Sequence, residues 1–199
     1  LLALLLMQSE EPVYKPSRLV SGFMKQNVLP LTPAEVAGRI ATREVQLSAF
    51  AIMPNHFHLL VCEQSAGGIA RYMKRLLGSY TKYSNTKRGM VGHVFQGPYQ
   101  FVHVEDDDQL VYLSAYIHRN PRALLQWRGK EHIYPWSSHQ DYVSGNRWGD
   151  LLQPQIVMDQ FSKSSARYRR FVEQSDAKDR VTDPALLIDR DEERIVAVP

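Results

Sequence analysis

The sequence predicts an α+β fold: a ferredoxin-like β-α-β-β-α-β core, an antiparallel sheet with helices on one face, followed by a further helix and a C-terminal extension. Three observations predict it. A helix with a complete start signal opens at Thr32. An alternating stretch from Val45 runs through a Pro-Asn turn into a second extended segment. Two amphipathic stretches then enclose a third extended segment near residue 100.

The N-terminal run Leu1-Leu2-Ala3-Leu4-Leu5-Leu6-Met7 reads as a buried strand or helix, and it could supply the strand ahead of the first helix. It lacks the basic segment and the small-residue cleavage site of a signal peptide. The chain begins without methionine, which is compatible with native residues missing upstream. Pro12, Pro16 and Pro30 break the next stretch. Thr32 as N-cap, Pro33 at the first helical position and Glu35 three residues after the cap then start a helix that runs to about Thr42.

From Val45, the positions Val45, Leu47, Ala49 and Ala51 alternate with Gln46, Ser48 and Phe50, which predicts a strand. Met53-Pro54-Asn55-His56 is a turn, and Phe57 to Cys62 completes a hairpin. Gly67-Gly68 precedes a helix over about Ile69–Asn85, with Ile69, Tyr72, Met73, Leu76, Leu77 and Tyr80 on one face. Val91 to Val104 is β-branched and aromatic and reads as strand, interrupted at Gly97-Pro98. Asp106-Asp107-Asp108 caps a helix that ends near Asn120, because Pro121 follows. A short helix is expected around Phe161 to Glu173, and a charged, loosely held tail from Ser175. The expected division is a core over 1–143 and an extension over 144–199.

The chain has 199 residues, 44% of them hydrophobic and 23% charged, enough for one domain with an appendage. Lys and Arg number 24 against 21 Asp and Glu, and the sequence pI near 9.0 is compatible with a polyanionic partner. One cysteine, Cys62, excludes a disulfide framework and a thiolate zinc site within one chain, and fits a reducing cytoplasm. No apolar run approaches the roughly 18 residues a membrane span needs.

The candidate chemistry centres on His56-Phe57-His58. On a strand, positions i and i+2 share a face, so the two imidazoles project together, with Phe57 turned to the opposite side, toward the core. Neighbouring imidazoles suit a divalent ion, although an isolated His-x-His is more often two surface histidines. A candidate third ligand is the amide oxygen of Asn120. It lies four residues after Tyr116, on one helix face. A tyrosine beside a metal can attack a phosphodiester, with the cation polarising the phosphate. The bland alternative for Tyr116 is a core aromatic. Tyr112 is the control, with the same helix and spacing but no ligand four residues on.

These residues carry a resemblance. Met53-Pro54-Asn55-His56-Phe57-His58-Leu59-Leu60-Val61 resembles the metal-binding signature of HUH single-strand endonucleases. Tyr116-Ile117-His118-Arg119-Asn120-Pro121-Arg122-Ala123 resembles the nucleophile helix of the REP-associated tyrosine transposases, and Tyr134-Pro135-Trp136-Ser137-Ser138 resembles a further segment of that branch. Related insertion-sequence transposases usually carry glutamine where Asn120 stands. The likeness runs from about residue 45 to about 143, and more weakly to about 172.

The resemblance implies Tyr116 as nucleophile, His56, His58 and Asn120 as ligands, and Mg²⁺ or Mn²⁺ as cofactor, with no nucleotide. The implied substrate is single-stranded DNA folded into a hairpin, cut to leave a 5′-phosphotyrosine and rejoined. A bacterial, nucleoid-associated protein of the cytoplasm is implied, with no membrane partner, and a monomer is favoured over a dimer. DNA contacts are expected from Arg71, Lys74, Arg75, Lys82, Lys87 and Arg88, from Arg167, Arg169 and Arg170, and from Tyr99 and Trp136 as stacking rings. For any one of these, a solvated helix face or a core aromatic is at least as good an account. Two other functions stay open: a hairpin-binding protein without catalysis, and a metal-dependent hydrolase that uses water.

Overall fold

The computed structural model describes residues 1–10, 31–176 and the backbone of 194–198, with positions 22 and 25 besides. The helices are α1 (Leu2–Leu6), α2 (Pro33–Ala41), α3 (Gly68–Arg88), α4 (Asp107–Arg119), α5 (His139–Val143), α6 (Gln155–Met158) and α7 (Ser165–Gln174). The strands are β1 (Val45–Ile52), β2 (Phe57–Glu63), β3 (Gln100–His103) and β4 (Arg194–Val198). The α+β class holds. Two compact units divide the described chain.

The first unit gathers residues 1–46, 63–97 and 147–152. Its first helix corrects an expectation: the leucine run is not a strand. Leu and Ala are strong helix formers without β-branching, and Met7 N–H closes the turn on the Ala3 carbonyl at 3.0 Å. α3 anchors it, since Tyr72 Oη donates to the Leu4 carbonyl at 3.0 Å and the Arg75 guanidinium donates twice to the Met7 carbonyl. α2 starts as expected: Thr32 and Glu35 exchange both bonds of a capping box.

Glu44 ties this unit together. Its carboxylate pairs with Arg71 and Arg75. Burial would raise its pKa, but the hydrogen bonds and charges of the two guanidiniums win and hold it below the ordinary value. Gly68 opens α3 directly against the Glu44 carbonyl, which a Cβ at this position would meet at 2.4 Å. No side chain fits there.

The second unit gathers residues 47–62, 98–146 and 153–199. β1 and β2 form the expected hairpin, in which Met53 N–H donates to the His56 carbonyl at 2.8 Å. β1 is buried on both faces through its middle, Ser48 and Phe50 included. Along β1 runs the segment Tyr134–Ser138. Ile52 N–H donates to the Trp136 carbonyl at 2.9 Å, Ser138 N–H to the Phe50 carbonyl at 2.9 Å, and Tyr134 Oη to the Ile52 carbonyl at 2.8 Å. The core joins Ala49, Ala51 and Leu60 of the hairpin to Leu113, Tyr116 and Ile117 of α4 and to Tyr168 and Val172 of α7.

Two strand expectations change. The segment 91–104 keeps only Gln100–His103 as strand, because Gly92 and Gly97 take φ of 108° and 92°, outside the β region, and Pro98 follows. The sheet order is β1-β2-β4-β3, and β4 runs parallel to both its neighbours. The sheet is therefore mixed rather than wholly antiparallel, and its fourth strand comes from the end of the chain. Most of the charged tail lies outside the described residues, but its last stretch pairs in register, His58 opposite Arg194 and Cys62 opposite Val198.

Candidate active site

The hairpin and α4 bring three of the predicted residues together within the second unit. The His56 and His58 rings lie 5.0 Å apart, and the His58 ring meets Tyr116 edge-on at 5.4 Å. Asn120 caps α4 one turn beyond Tyr116, and its Nδ2 donates to the Tyr116 carbonyl at 3.1 Å. With its nitrogen so engaged, the oxygen is the atom through which Asn120 would ligate. His56 Nδ1 lies 2.8 Å from Asn55 Oδ1. An amide oxygen only accepts, so the proton of the neutral ring sits on Nδ1, which leaves Nε2 as the atom that would ligate.

The facing of the hairpin differs from expectation. His58 is 1% exposed and Phe57 is half-buried, so the imidazole, not the phenyl ring, points to the interior. α4 covers that face of the sheet. Tyr116 is also 1% exposed and belongs to the apolar core. The core-aromatic account and the contact with His58 both hold for this ring. Tyr112 is only partly buried and packs on the same core.

Among the described residues, no three His, Cys, Asp or Glu side chains cluster as a metal site. The donors at this position are instead two imidazoles and an amide. That set fits a cation: it is neutral, it carries an ordered lone pair at His56, and it leaves the ion's charge for an anionic substrate.

A buried polar chain holds α4 in place, and the sequence did not reveal it. His118 Nε2 lies 2.7 Å from Ser138 Oγ, and Nδ1 lies 2.6 Å from Tyr168 Oη. Tyr168 Oη donates to Ser114 Oγ at 3.2 Å, and Ser114 donates to the Val111 carbonyl at 2.7 Å. Phe50 N–H donates to Ser138 Oγ at 2.8 Å. Ser138 Oγ also lies 3.2 Å from the Phe50 carbonyl, and in the neutral His118 ring Ser138 donates to Nε2 while Nδ1–H donates to Tyr168. Burial, then the neighbouring His139, drives the pKa of His118 well below the ordinary value. His139 stacks on it at 5.0 Å and 5°, and burial first, then His132 and Arg169, lowers its own pKa to about 3. The signal was present: His118 and Ser138 sit in two of the motif segments, and they meet here.

The predicted DNA contacts separate into two kinds. Arg71 and Arg75 are engaged with Glu44, and Arg71 also donates to Ala66 and Ser65. Lys74, Lys82, Lys87 and Arg88 are exposed on α3 in the first unit. Arg167, Arg169 and Arg170 are exposed on α7 in the second unit, Arg169 pairing with Glu173 at 2.7 Å. Trp136 is 46% exposed and Tyr99 half-buried.

Residues 24–120 match the family model described as transposase, IS200-like. The matched stretch contains His56, His58, Tyr116 and Asn120 and ends on the last of them. No curated protein and no solved structure matches the chain. Over residues 24–120, the chain is similar to the IS200-like transposases, and the resemblance carried by its two motifs is supported there.

Proposed function

We propose that the chain cleaves and rejoins single-stranded DNA at hairpins through a 5′-phosphotyrosine on Tyr116, with Mg²⁺ or Mn²⁺ held by His56, His58 and Asn120. The observation that supports it most is the ring contact between His58 and Tyr116, residues 58 positions apart on a strand and a helix, within one chain and one unit. That contact favours a site complete in a single protomer. We take residues 1–143 as the catalytic core and 144–199 as its extension.

In the step proposed, the Tyr116 phenol oxygen bonds to phosphorus as the P–O3′ bond breaks. The phenol loses its proton, the departing 3′-oxygen gains one, and the phosphodiester's energy is kept in the tyrosyl ester. Attack by another 3′-hydroxyl reverses the step and rejoins the strand without ATP. When bound, the cation supplies charge that polarises and orients the phosphate. The chain's own residues do the rest. Asn55 orders the His56 ring, Asn120 bonds the Tyr116 carbonyl, and the His118 chain fixes the helix that carries the phenol. Because Tyr116 is buried, DNA must reach it through an opening of the surface over α4.

A 3′-labelled hairpin oligonucleotide with single-stranded flanks, incubated with Mn²⁺, tests this. The native protein yields a protein-linked label, and Tyr116→Phe yields none while binding the oligonucleotide with unchanged affinity. A hydrolase that uses water would cut equally well in both and trap nothing.

A further inference from the structure

We propose that the C-terminal half of α3 is a stacking surface for unpaired bases, with Tyr80 and Tyr83 as the platforms and Lys82, Lys87 and Arg88 as the phosphate contacts. This rests on the chain acting on DNA, and it adds where the unpaired strand lies on the first unit.

Large apolar side chains are scarce on the described surface, yet Tyr80, Tyr83, Met90 and Val91 stand out of it within a dozen residues. Tyr80, expected on the apolar face of the helix, is instead 45% exposed, and Tyr83 is 56% exposed. Three residues apart on a helix, the two rings are near neighbours. Each is braced from one side: Tyr80 packs on Phe95 at 5.5 Å, and the Lys87 ammonium lies 5.6 Å from the Tyr83 ring centre and 3.3 Å from its hydroxyl. Bracing lowers the entropy lost when a base settles on the open face of a ring.

Charge chooses the occupant. Between Glu63 and Glu105 the chain has no Asp or Glu, while α3 carries six Lys and Arg. Two of those six, Arg71 and Arg75, are occupied by Glu44. The C-terminal half keeps Lys82, Lys87 and Arg88 exposed with no carboxylate on the helix to neutralise them. Cations interleaved with exposed aromatic rings match a polyanion whose bases are unstacked. An apolar protein partner would gain nothing from the charges, and a duplex would hide its base faces from the rings.

Binding is measured on the Tyr116→Phe background, so that cleavage plays no part, with an unpaired oligonucleotide and a blunt duplex of the same length. Tyr80→Leu and Tyr83→Leu should each weaken binding to the unpaired strand about tenfold, whereas Tyr80→Phe and Tyr83→Phe should bind as tightly as the parent. Lys82→Ala should reduce the salt slope of log K by about 0.7 without changing the preference for unpaired DNA. Photocrosslinking of a 5-iodouracil oligonucleotide to the parent protein should map to residue 80 or 83. The proposal is overturned if the leucine variants bind like the parent, if the phenylalanine variants lose as much as the leucine ones, if duplex binds equally well, or if the crosslinks fall elsewhere. Because binding and adduct formation are read separately, a failure here leaves the Tyr116 chemistry standing, and the reverse also holds.

Discussion

At the scale of single residues, the site depends on side chains whose spacing is short and on others whose spacing is long. His56 with His58 and Tyr116 with Asn120 obey the periods of a strand and a helix, so both pairs are legible in the sequence. The facing of His58 is not, because which side of a hairpin is interior depends on where α4 docks. Nor are the partners of His118, which lie 20 and 50 residues away. His139, buried against that ring with its pKa lowered from 6.5 to about 3, has a measurable consequence. Below pH 6.5 the unfolded chain protonates this imidazole while the folded chain does not, until about pH 3. Stability contributed by the neutral ring is therefore full above pH 6.5 and is lost as the pH falls toward 3, by about 1.4 kcal/mol per pH unit. Replacing it with glutamine, which does not titrate, should flatten the urea-derived stability profile between pH 6 and 4 by about that slope. An unaltered profile would show that His139 is already protonated in the fold.

At the scale of elements, helices announced by caps are readable, the long α3 is readable from its apolar period without one, and the short uncapped helices are not. The Thr32–Glu35 box and the Asp106 cap, which accepts from Gln109 N–H at 2.7 Å, mark α2 and α4 within a residue or two. α5 and α6, of five and four residues, are too short to show a period. The leucine run was ambiguous because its identity as helix depends on α3 receiving it. The loop over 91–99 has the composition of a strand, and the glycine φ angles that break it are invisible in a sequence. Gly68 is the sharpest case of an element fixed by a single position. Gly68→Ala must push the start of α3 away from the Glu44 backbone and should cost about 1–3 kcal/mol of stability. A thermal midpoint equal to the native one would mean that the contact is looser than 2.4 Å implies.

At the scale of the molecule, the sheet that presents His58 takes an interior strand from the end of the chain. That arrangement was hidden by composition: the β-branched Ile195, Val196 and Val198 follow directly on a charge run that reads as solvated tail. Deleting residues 194–199 leaves β2 and β3 facing a gap where their hydrogen bonds were. The alternate amides of β2 that point toward β4 should then exchange with solvent at least tenfold faster, while those that point toward β1 keep their protection, and the melting temperature should fall. Exchange as slow as in the full chain would remove β4 from the account. The family match covers both the hairpin and α4, and the two converge within one chain through His58 and Tyr116. The most direct measurement of what that convergence does is mass spectrometry of the digested protein after reaction with a hairpin oligonucleotide and Mn²⁺. The account predicts a nucleotide esterified to Tyr116, present in the native protein and absent once His58 is alanine. A nucleotide on any other residue, or cleaved DNA with no nucleotide on the protein, would contradict it.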